Sequence, residues 1–350
     1  MTLEQRINAF VSLGDFMSQF DGGEKIDHPA NEMHFSRGEE LIVSEKYRNP
    51  WFVENNVRQA IGAIASMLNK ARLTTWLSDY NTNPETTKKI GIVMAGNIPM
   101  VGFHDLMCVL MSGHELHAKL SSQDKTLLSF FSKVLMYIDS GFEEKLYFHK
   151  ESLKHCDAYI ATGTNNSARY FEHYFGKYPN IIRRNRNSIA VLDGTESQET
   201  LKEIGKDIFD YFGMGCRNIT KLYVPENYDF DQFFKAIYDY HDIVNHSKYG
   251  NNYDYNKAIY LMGSLDLLDN GFVLLKEDQH IASPVGVLFY EYYKDINSLS
   301  DELKARDNDI QCIVATNKSF FRQVAPGMAQ CPAVNEYADG IDTMAFLANL

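Results

Sequence analysis

The 350-residue chain lacks the short signatures that settle many sequences. It holds no GxGxxG dinucleotide fingerprint, no Walker A loop, no HExxH zinc motif and no GxSxG elbow. An ordinary Rossmann dehydrogenase, a P-loop NTPase, a zincin and an α/β-hydrolase are therefore unsupported. Cysteine is scarce: Cys108, Cys156, Cys216, Cys312 and Cys331 are odd in number and scattered, without a CxxC pair. That argues against a disulfide framework or a thiolate zinc site, and each is read as a thiol. His114 and His117 stand three apart at a strand entrance, so no metal is expected from them. No apolar run approaches the roughly 18 residues of a membrane span; the best, Val101 to Leu110, is interrupted by His104 and Asp105. Positive charge is also short, with 34 Lys and Arg against 46 Asp and Glu and a net −12. That sign disfavours a nucleic-acid partner. Met1 to Arg6 opens directly into an amphipathic pattern, so no secretory leader is expected and the cytoplasm is the expected compartment.

What is present suits a globular protein: 45% of residues are hydrophobic and 23% charged, and the length suggests two compact domains. The first eighty residues read as helices, with Leu3, Ile7, Phe10, Val11 and Leu13 on one face and a second run through Val57, Ile61, Ile64, Leu68 and Trp76. From Lys89 short apolar runs alternate with helical patterns, the mark of a parallel sheet flanked by helices. Strands are expected at Ile90 to Ala95, Glu115 to Lys119, Ala158 to Thr162 and Ser188 to Leu192. Helices are expected near Met100 to Met111, Asp124 to Ile138 and Ser167 to Phe175, giving a doubly wound layout over about the first 190 residues. The second half continues as α/β, with strands expected at 221–224, 271–275, 285–290 and 311–315 and helices at 230–244 and 298–306. The tyrosine-rich stretch His246 to Asn256, with Gly250-Asn251-Asn252, reads as an exposed loop.

Four features can carry chemistry, and each also has a plain structural reading. Ala95-Gly96-Asn97-Ile98-Pro99 leaves the first strand: it is a turn on composition alone, or it places the Asn97 amide at the carboxyl end of a strand, where open α/β sheets bind ligands. Lys119 ends the next strand and is either solvated or a partner for a nucleotide ribose or phosphate; Ser121 and Ser122 either cap a helix or assist it. Thr162-Gly163-Thr164 leads into a helix whose N-terminus either is simply capped or receives an anion. Cys216, in Gly213-Met214-Gly215-Cys216-Arg217, is either a small buried apolar residue or a nucleophile exposed by its glycines, with Arg217 beside it to favour the thiolate. Cys108, within Leu106-Met107-Cys108-Val109-Leu110, reads as core.

Taken in order, these segments resemble the aldehyde dehydrogenase superfamily, and within it the LuxC-like acyl-CoA reductases. Gly96-Asn97-Ile98-Pro99 is similar to the superfamily's Trp-Asn-Phe-Pro turn, and Lys119-Leu120-Ser121-Ser122 to its Lys-Pro-Ser-Glu motif. Ala161-Thr162-Gly163-Thr164 is similar to Phe-Thr-Gly-Ser, Gly213-Met214-Gly215-Cys216 to Gly-Gln-X-Cys, and Ser283-Pro284-Val285 to Phe-Gly-Pro-Val. The N-terminal helices and the stretch from Gln330-Cys331-Pro332 to Asp342-Thr343 look like the LuxC-like subgroup.

The resemblance implies an α/β fold with a Rossmann-like cofactor domain, an α/β catalytic domain and a reduced oligomerisation segment. The domains are expected at 1–190, with the N-terminal helices, and at 191–330. Residues 331–350 are expected as a tail returning to the cofactor domain or a dimer interface. The implied activity is reduction of a fatty acyl-CoA to its aldehyde through an acyl-Cys216 intermediate, in a cytoplasmic homodimer. Cys216, Asn97 and Asp193 are the implied catalytic residues. Ala95, Gly96, Lys119, Ser121, Ser122, Gly163, Thr164 and Leu192 are the implied cofactor contacts. The Glu-Leu-Gly-Gly general-base motif is matched to Val191-Leu192-Asp193-Gly194-Thr195, which lacks that glutamate, and the glutamate that binds the ribose of NAD is matched by Ser122. NADPH is therefore expected over NAD. The alternatives are an aldehyde dehydrogenase or acyl-phosphate reductase using the same thiol, or a non-catalytic nucleotide-binding partner subunit.

Overall fold

The computed structural model describes residues 1–316 and 320–350. It divides into two compact units, Met1–Arg184 together with Ala333–Leu350, and Asn185–Pro332.

In the first unit, four helices precede the sheet: α1 (Leu3–Ser18), α2 (Ser36–Ser44), α3 (Glu54–Met67) and α4 (Lys70–Leu77). The first is opened by a capping box, in which the Thr2 hydroxyl accepts the Gln5 N–H and the Gln5 side chain accepts the Thr2 N–H. Five parallel strands follow, β1 (Lys89–Val93), β2 (Glu115–Lys119), β3 (Leu146–Phe148), β4 (Ala158–Thr162) and β5 (Asn180–Arg183), in the order β3-β2-β1-β4-β5. Helices α5 (Phe103–Met111), α6 (Thr126–Ile138) and α7 (Asn165–Phe175) connect them. Ile90, Ile92, Leu116 and Ile160 of the sheet share one core with Leu106 and Leu110 of α5, Leu127 and Phe131 of α6, and Phe10 and Leu13 of α1. The helices therefore turn an apolar face to the sheet at their own period, whereas β1 and β4 are buried along most of their length and read as short apolar runs. From β1 the chain runs outward through β2 and β3, then returns to β1's other side as β4. The order thus reverses at β1 and β4, and such a switch point opens a ligand crevice at the strands' carboxyl ends.

The C-terminal segment is fastened within this unit by buried and half-buried polar groups. Trp76 Nε1 donates to the Tyr337 hydroxyl at 2.7 Å, Tyr337 to Tyr80 at 3.0 Å, and Tyr80 to Asp342 at 2.8 Å. Arg183, 3% exposed, donates to Asp105 at 2.5 Å and to the Thr343 hydroxyl at 2.8 Å. A buried pair of this kind holds its geometry tightly, because releasing either partner leaves an uncompensated charge.

The second unit is a seven-stranded sheet, built from β6 (Asn187–Val191), β7 (Ile219–Pro225), β8 (Leu268–Asp269), β9 (Leu274–Glu277), β10 (Val287–Tyr293), β11 (Ile310–Val314) and β12 (Gln323–Val324). Its order is β12-β11-β6-β7-β10-β9-β8, parallel except between β8 and β9. Helices α8 (Gln198–Phe209), α9 (Phe230–Ala236), α10 (Ser247–Met262) and α11 (Ile296–Ala305) complete it. Leu222, Val224 and Leu288 pack with Leu201 and Phe233, whereas Ile189, Tyr223 and Ile313 pack with Leu299 and Leu303. Both faces are covered, so the strands read as apolar runs.

Two expectations fail here. The strand expected at Ser188 to Leu192 belongs to the second sheet, not the first: β6 pairs with β7 and β11. The stretch expected as an exposed loop at His246 to Asn256 is the start of α10, capped by His246. Tyr249, Tyr253 and Asn256 lie on one face and are buried; the Tyr249 hydroxyl donates to Phe272 O at 3.0 Å and Asn256 Nδ2 to Val285 O at 3.0 Å. This tertiary burial overrides the turn preference of Gly250-Asn251-Asn252.

Candidate functional site

The first unit gathers its expected residues at the carboxyl ends of β1, β2 and β4. After Val93 the chain turns through Ala95-Gly96-Asn97-Ile98-Pro99 into α5, and Asn97 is half-buried. The turn is held from outside. Met100 is left-handed, at φ 57°, and its N–H donates to Asp124 Oδ2 at 2.6 Å. Burial pushes that carboxyl up to about 7 against the opposing effect of the Met100 N–H. Gly96 lies against Ser121: a Cβ there would stand 2.5 Å from the Ser121 hydroxyl, so only glycine lets the segment after β1 close on the segment after β2. Lys119 ends β2, Ser121 is half-buried and Ser122 is exposed. After β4, the Thr164 hydroxyl caps α7 by accepting the Ser167 N–H at 3.2 Å, and Gly163 packs on Ser167 and Phe171. Ala95, Gly96, Lys119, Ser121, Ser122, Gly163 and Thr164 thus lie at strand ends of one sheet, around its switch point. An ammonium, hydroxyls and a helix N-terminus are a donor set suited to a sugar and a pyrophosphate.

The second unit builds the surroundings of Cys216. The chain leaves α8 through Tyr211, Phe212 and Gly213, all left-handed at φ 53°, 59° and 73°. For two bulky aromatic residues this conformation costs on the order of 1–3 kcal/mol each. It is held by packing, with Tyr211 and Phe212 buried and the Phe212 ring stacked on His246 at 4.2 Å. Cys216 then takes the first corner of a turn closed by the Asn218 N–H on Gly215 O at 3.1 Å, and β7 begins at Ile219. Cys216 is half-buried, whereas Cys108, Cys156 and Cys312 are buried and Cys331 is exposed. Burial, and secondarily Asp105, pushes the Cys108 thiol well up, as befits core. Ser188, at 0% exposure, donates its hydroxyl to Cys216 O at 3.1 Å and lies 3.0 Å from Cys312 Sγ. Arg217 Nε donates to Ala329 O at 2.5 Å.

Asp193 and Leu192 are not brought to Cys216. Strands β6 and β7 are parallel, with Ser188 opposite Ile219 and Val191 opposite Tyr223. Cys216 therefore sits at the amino end of this pair, beside Ser188. Asp193 lies five residues further along, roughly 16 Å away at about 3.3 Å per residue. Its Oδ1 accepts the Thr195 N–H and hydroxyl at 2.8 and 2.6 Å, and Leu192 is core, 1% exposed, with its carbonyl on the Tyr293 hydroxyl. The motif resemblance implies a catalytic role for Asp193 and a cofactor contact for Leu192; the parallel register sets Asp193 away from the nucleophile.

Sequence reading missed the three residues that shape the Cys216 turn: Asn218, Ser188 and Asp207. Asp207, at 0% exposure on α8, accepts the Gly327 N–H at 2.7 Å and the Ala329 N–H at 3.0 Å, and so holds the turn whose carbonyl receives Arg217. Burial pushes its carboxyl up from 3.8 to about 7, against those two N–H groups. The native chain binds this proton more tightly than the unfolded chain does. The stabilisation is full below the unfolded value and is lost as pH rises through about 7. Thermal unfolding between pH 5 and 8 is expected to show a falling Tm, with a shallower fall in Asp207→Asn; an equal slope in the variant contradicts the assignment.

Among the described residues, no group of three or more His, Cys, Asp or Glu side chains is arranged to hold a metal ion, and no helix is long and apolar enough to cross a membrane.

Neither a family model nor a curated protein matches the chain. Solved structures do. Aldehyde dehydrogenase 21 from Physcomitrella patens, in complex with succinate, is similar over 100% of this chain and 84% of its own, at 10% identity and a TM-score of 0.69. An acetylating aldehyde dehydrogenase from Geobacillus thermoglucosidasius covers 95% and 84%, at 9% identity and 0.61. The NAD+ complex of an aldehyde dehydrogenase from Bacillus cereus covers 91% and 72%, at 11% identity and 0.62. The chain has the aldehyde dehydrogenase fold.

Proposed function

We propose that the chain is an NADPH-dependent acyl-CoA reductase of the LuxC-like kind, working through an acyl-Cys216 intermediate. The observation that carries this is Cys216 itself: a half-buried thiol at the corner of a glycine-bounded turn, entered through three left-handed residues, on an aldehyde dehydrogenase fold. Backbone strain stored beside a nucleophile is a recurring feature of reactive sites.

In this reading the Cys216 thiolate attacks the thioester carbonyl, an S–C bond forms, and the tetrahedral oxyanion collapses with departure of CoA thiolate. The Cys216 N–H and the Asn97 side-chain amide are assigned as donors to that oxyanion. Lys119, Ser121 and Ser122 would hold the adenosine ribose of the dinucleotide, with Ala95, Gly96, Gly163 and Thr164 around the pyrophosphate. When bound, NADPH supplies the hydride that takes the acyl group to the aldehyde. Within the second unit, the segment entering β6 at the amino end, where Cys216 lies, reads Asn185-Arg186-Asn187 and carries no carboxylate to activate water. That favours an acyl-enzyme awaiting reduction over one that is hydrolysed. The acetylating member among the structural neighbours points the same way.

The choice of cofactor rests on Ser122, exposed where a glutamate would repel a 2′-phosphate. NADPH is expected to exceed NADH in kcat/KM by about tenfold or more, equivalent to about 1.4 kcal/mol, and Ser122→Glu to erase the preference. A higher kcat/KM with NADH in a side-by-side assay contradicts it. Substituting an acyl phosphate or free aldehyde for the CoA ester, with the product trapped, tests the donor: turnover is expected with the thioester, and turnover confined to another donor overturns the reading.

A further inference from the structure

We infer that Asn218 is the positioning residue that aims the Cys216 N–H at the acyl oxygen, an inference that rests on Cys216 being the acyl-accepting nucleophile. Asn218 is fully buried and takes both main-chain polar groups of Gly215: its N–H donates to Gly215 O at 3.1 Å, and its Oδ1 accepts the Gly215 N–H at 2.8 Å. The peptide joining Gly215 to Cys216 is trans and therefore planar, with C=O and N–H pointing opposite ways. Fixing the Gly215 carbonyl on Asn218 thus fixes the direction of the Cys216 N–H.

The other end of the side chain anchors this arrangement to α8. Asn218 Nδ2 donates to Asp207 O at 2.9 Å and to Asp210 O at 2.8 Å, the carbonyls left unsatisfied where the helix ends. The following peptide is held from the sheet by Ser188, whose hydroxyl donates to Cys216 O. Ser188 sits where the β6–β7 register shifts, the kind of sheet irregularity that re-aims a side chain next to a functional residue. The peptide before the Cys216 Cα is thus held by the Asn218 main-chain N–H, which the buried Asn218 side chain fixes in place through the Gly215 N–H and the α8 carbonyls, and the peptide after it by the buried Ser188 hydroxyl. Only an amide serves at 218, because the position needs an acceptor for the Gly215 N–H and a donor for the helix carbonyls at the same time.

Two reactions of one thiol separate an aimed N–H from a merely intact fold. Alkylation by iodoacetamide displaces iodide at a tetrahedral carbon and develops no oxyanion. Acylation by p-nitrophenyl acetate forms the S–C bond through an oxyanion and releases p-nitrophenolate. Both rates, with the modified residue identified by peptide mass, are measured on the full chain for wild type, Asn218→Ala and Asn218→Asp. Asn218→Ala is expected to acylate roughly 10- to 100-fold more slowly while alkylating within about threefold of wild type, given what one oxyanion donor contributes. Asn218→Asp keeps an acceptor facing Gly215 and is expected to fall between them, which preserves the test if the alanine variant does not fold. Acylation at the wild-type rate in both variants overturns the inference, as does an equal fall of acylation and alkylation in both. If wild-type Cys216 is alkylated but never acylated, the acyl-enzyme reading falls, and the inference with it.

Discussion

Cys216→Ala is expected to lower acyl-CoA-dependent NADPH oxidation by at least about a thousandfold, because removing a covalent nucleophile removes the whole two-step path rather than one interaction within it. The substitution deletes a single sulfur atom from a half-buried corner. The turn is held by Asn218, Ser188 and Arg217, none of which uses the thiol in the hydrogen bonds described above. Folding should therefore survive, and Tm should stay within a few degrees of wild type. Cys108→Ala, by contrast, opens a cavity in the core of the first unit, where Cys108 is 0% exposed. It should cost stability and leave specific activity largely intact. Steady-state turnover with aldehyde trapping distinguishes the two: equal losses of activity in both variants would contradict the assignment of Cys216.

Asn97→Ala is expected to reduce kcat on the order of a hundredfold, about 3 kcal/mol of barrier, with a much smaller change in KM. An oxyanion donor acts on charge that exists only in the tetrahedral species, so its loss falls on the transition state more than on bound substrate. Structural damage should be small. The turn around Asn97 is held by the Met100 N–H on Asp124 and by Gly96 against Ser121, both of which the substitution leaves in place. Full kcat in Asn97→Ala would remove the residue from the mechanism; a rise in KM alone would move it to binding.

The parts of this chain that were legible in its sequence are those fixed by local pattern. Strands β2 and β4 occupy the expected Glu115–Lys119 and Ala158–Thr162: the first alternates polar and apolar residues and the second is a short apolar run. The helices at Phe103–Met111 and Thr126–Ile138 fall within the expected stretches, the first as a nearly continuous apolar run and the second through an apolar face that repeats over about three and a half turns. Asn97 and Lys119 stand out by short motifs and lie at carboxyl ends of strands, and Cys216 lies in the Gly215–Asn218 turn that follows the left-handed 211–213 segment.

The parts that were not legible depend on distant partners. Three-residue β3 is too short to show a period. Strand β6 looks like its predecessors, and only its pairing with β7 and β11 assigns it to the second sheet. Asp193 shows the limit of motif matching most plainly: the string around it resembles a catalytic segment, yet the parallel register carries it to the far end of the sheet from Cys216. Ser188 and Asp207 are silent for the same reason, and Asn218, though its partners lie within eleven residues, belongs to no motif that marks them. Ser188 reaches Cys216 across 28 positions and Asp207 reaches Gly327 across 120, and no local rule reports such bonds.

The most direct measurement is the mass of the protein and of its Cys216 peptide after incubation with an acyl-CoA in the absence of NADPH, followed by addition of NADPH. The account predicts one acyl group on Cys216 and none in Cys216→Ala, then discharge of that group as aldehyde when NADPH is added. An unmodified Cys216, or an acyl group that leaves only as free acid, would contradict it.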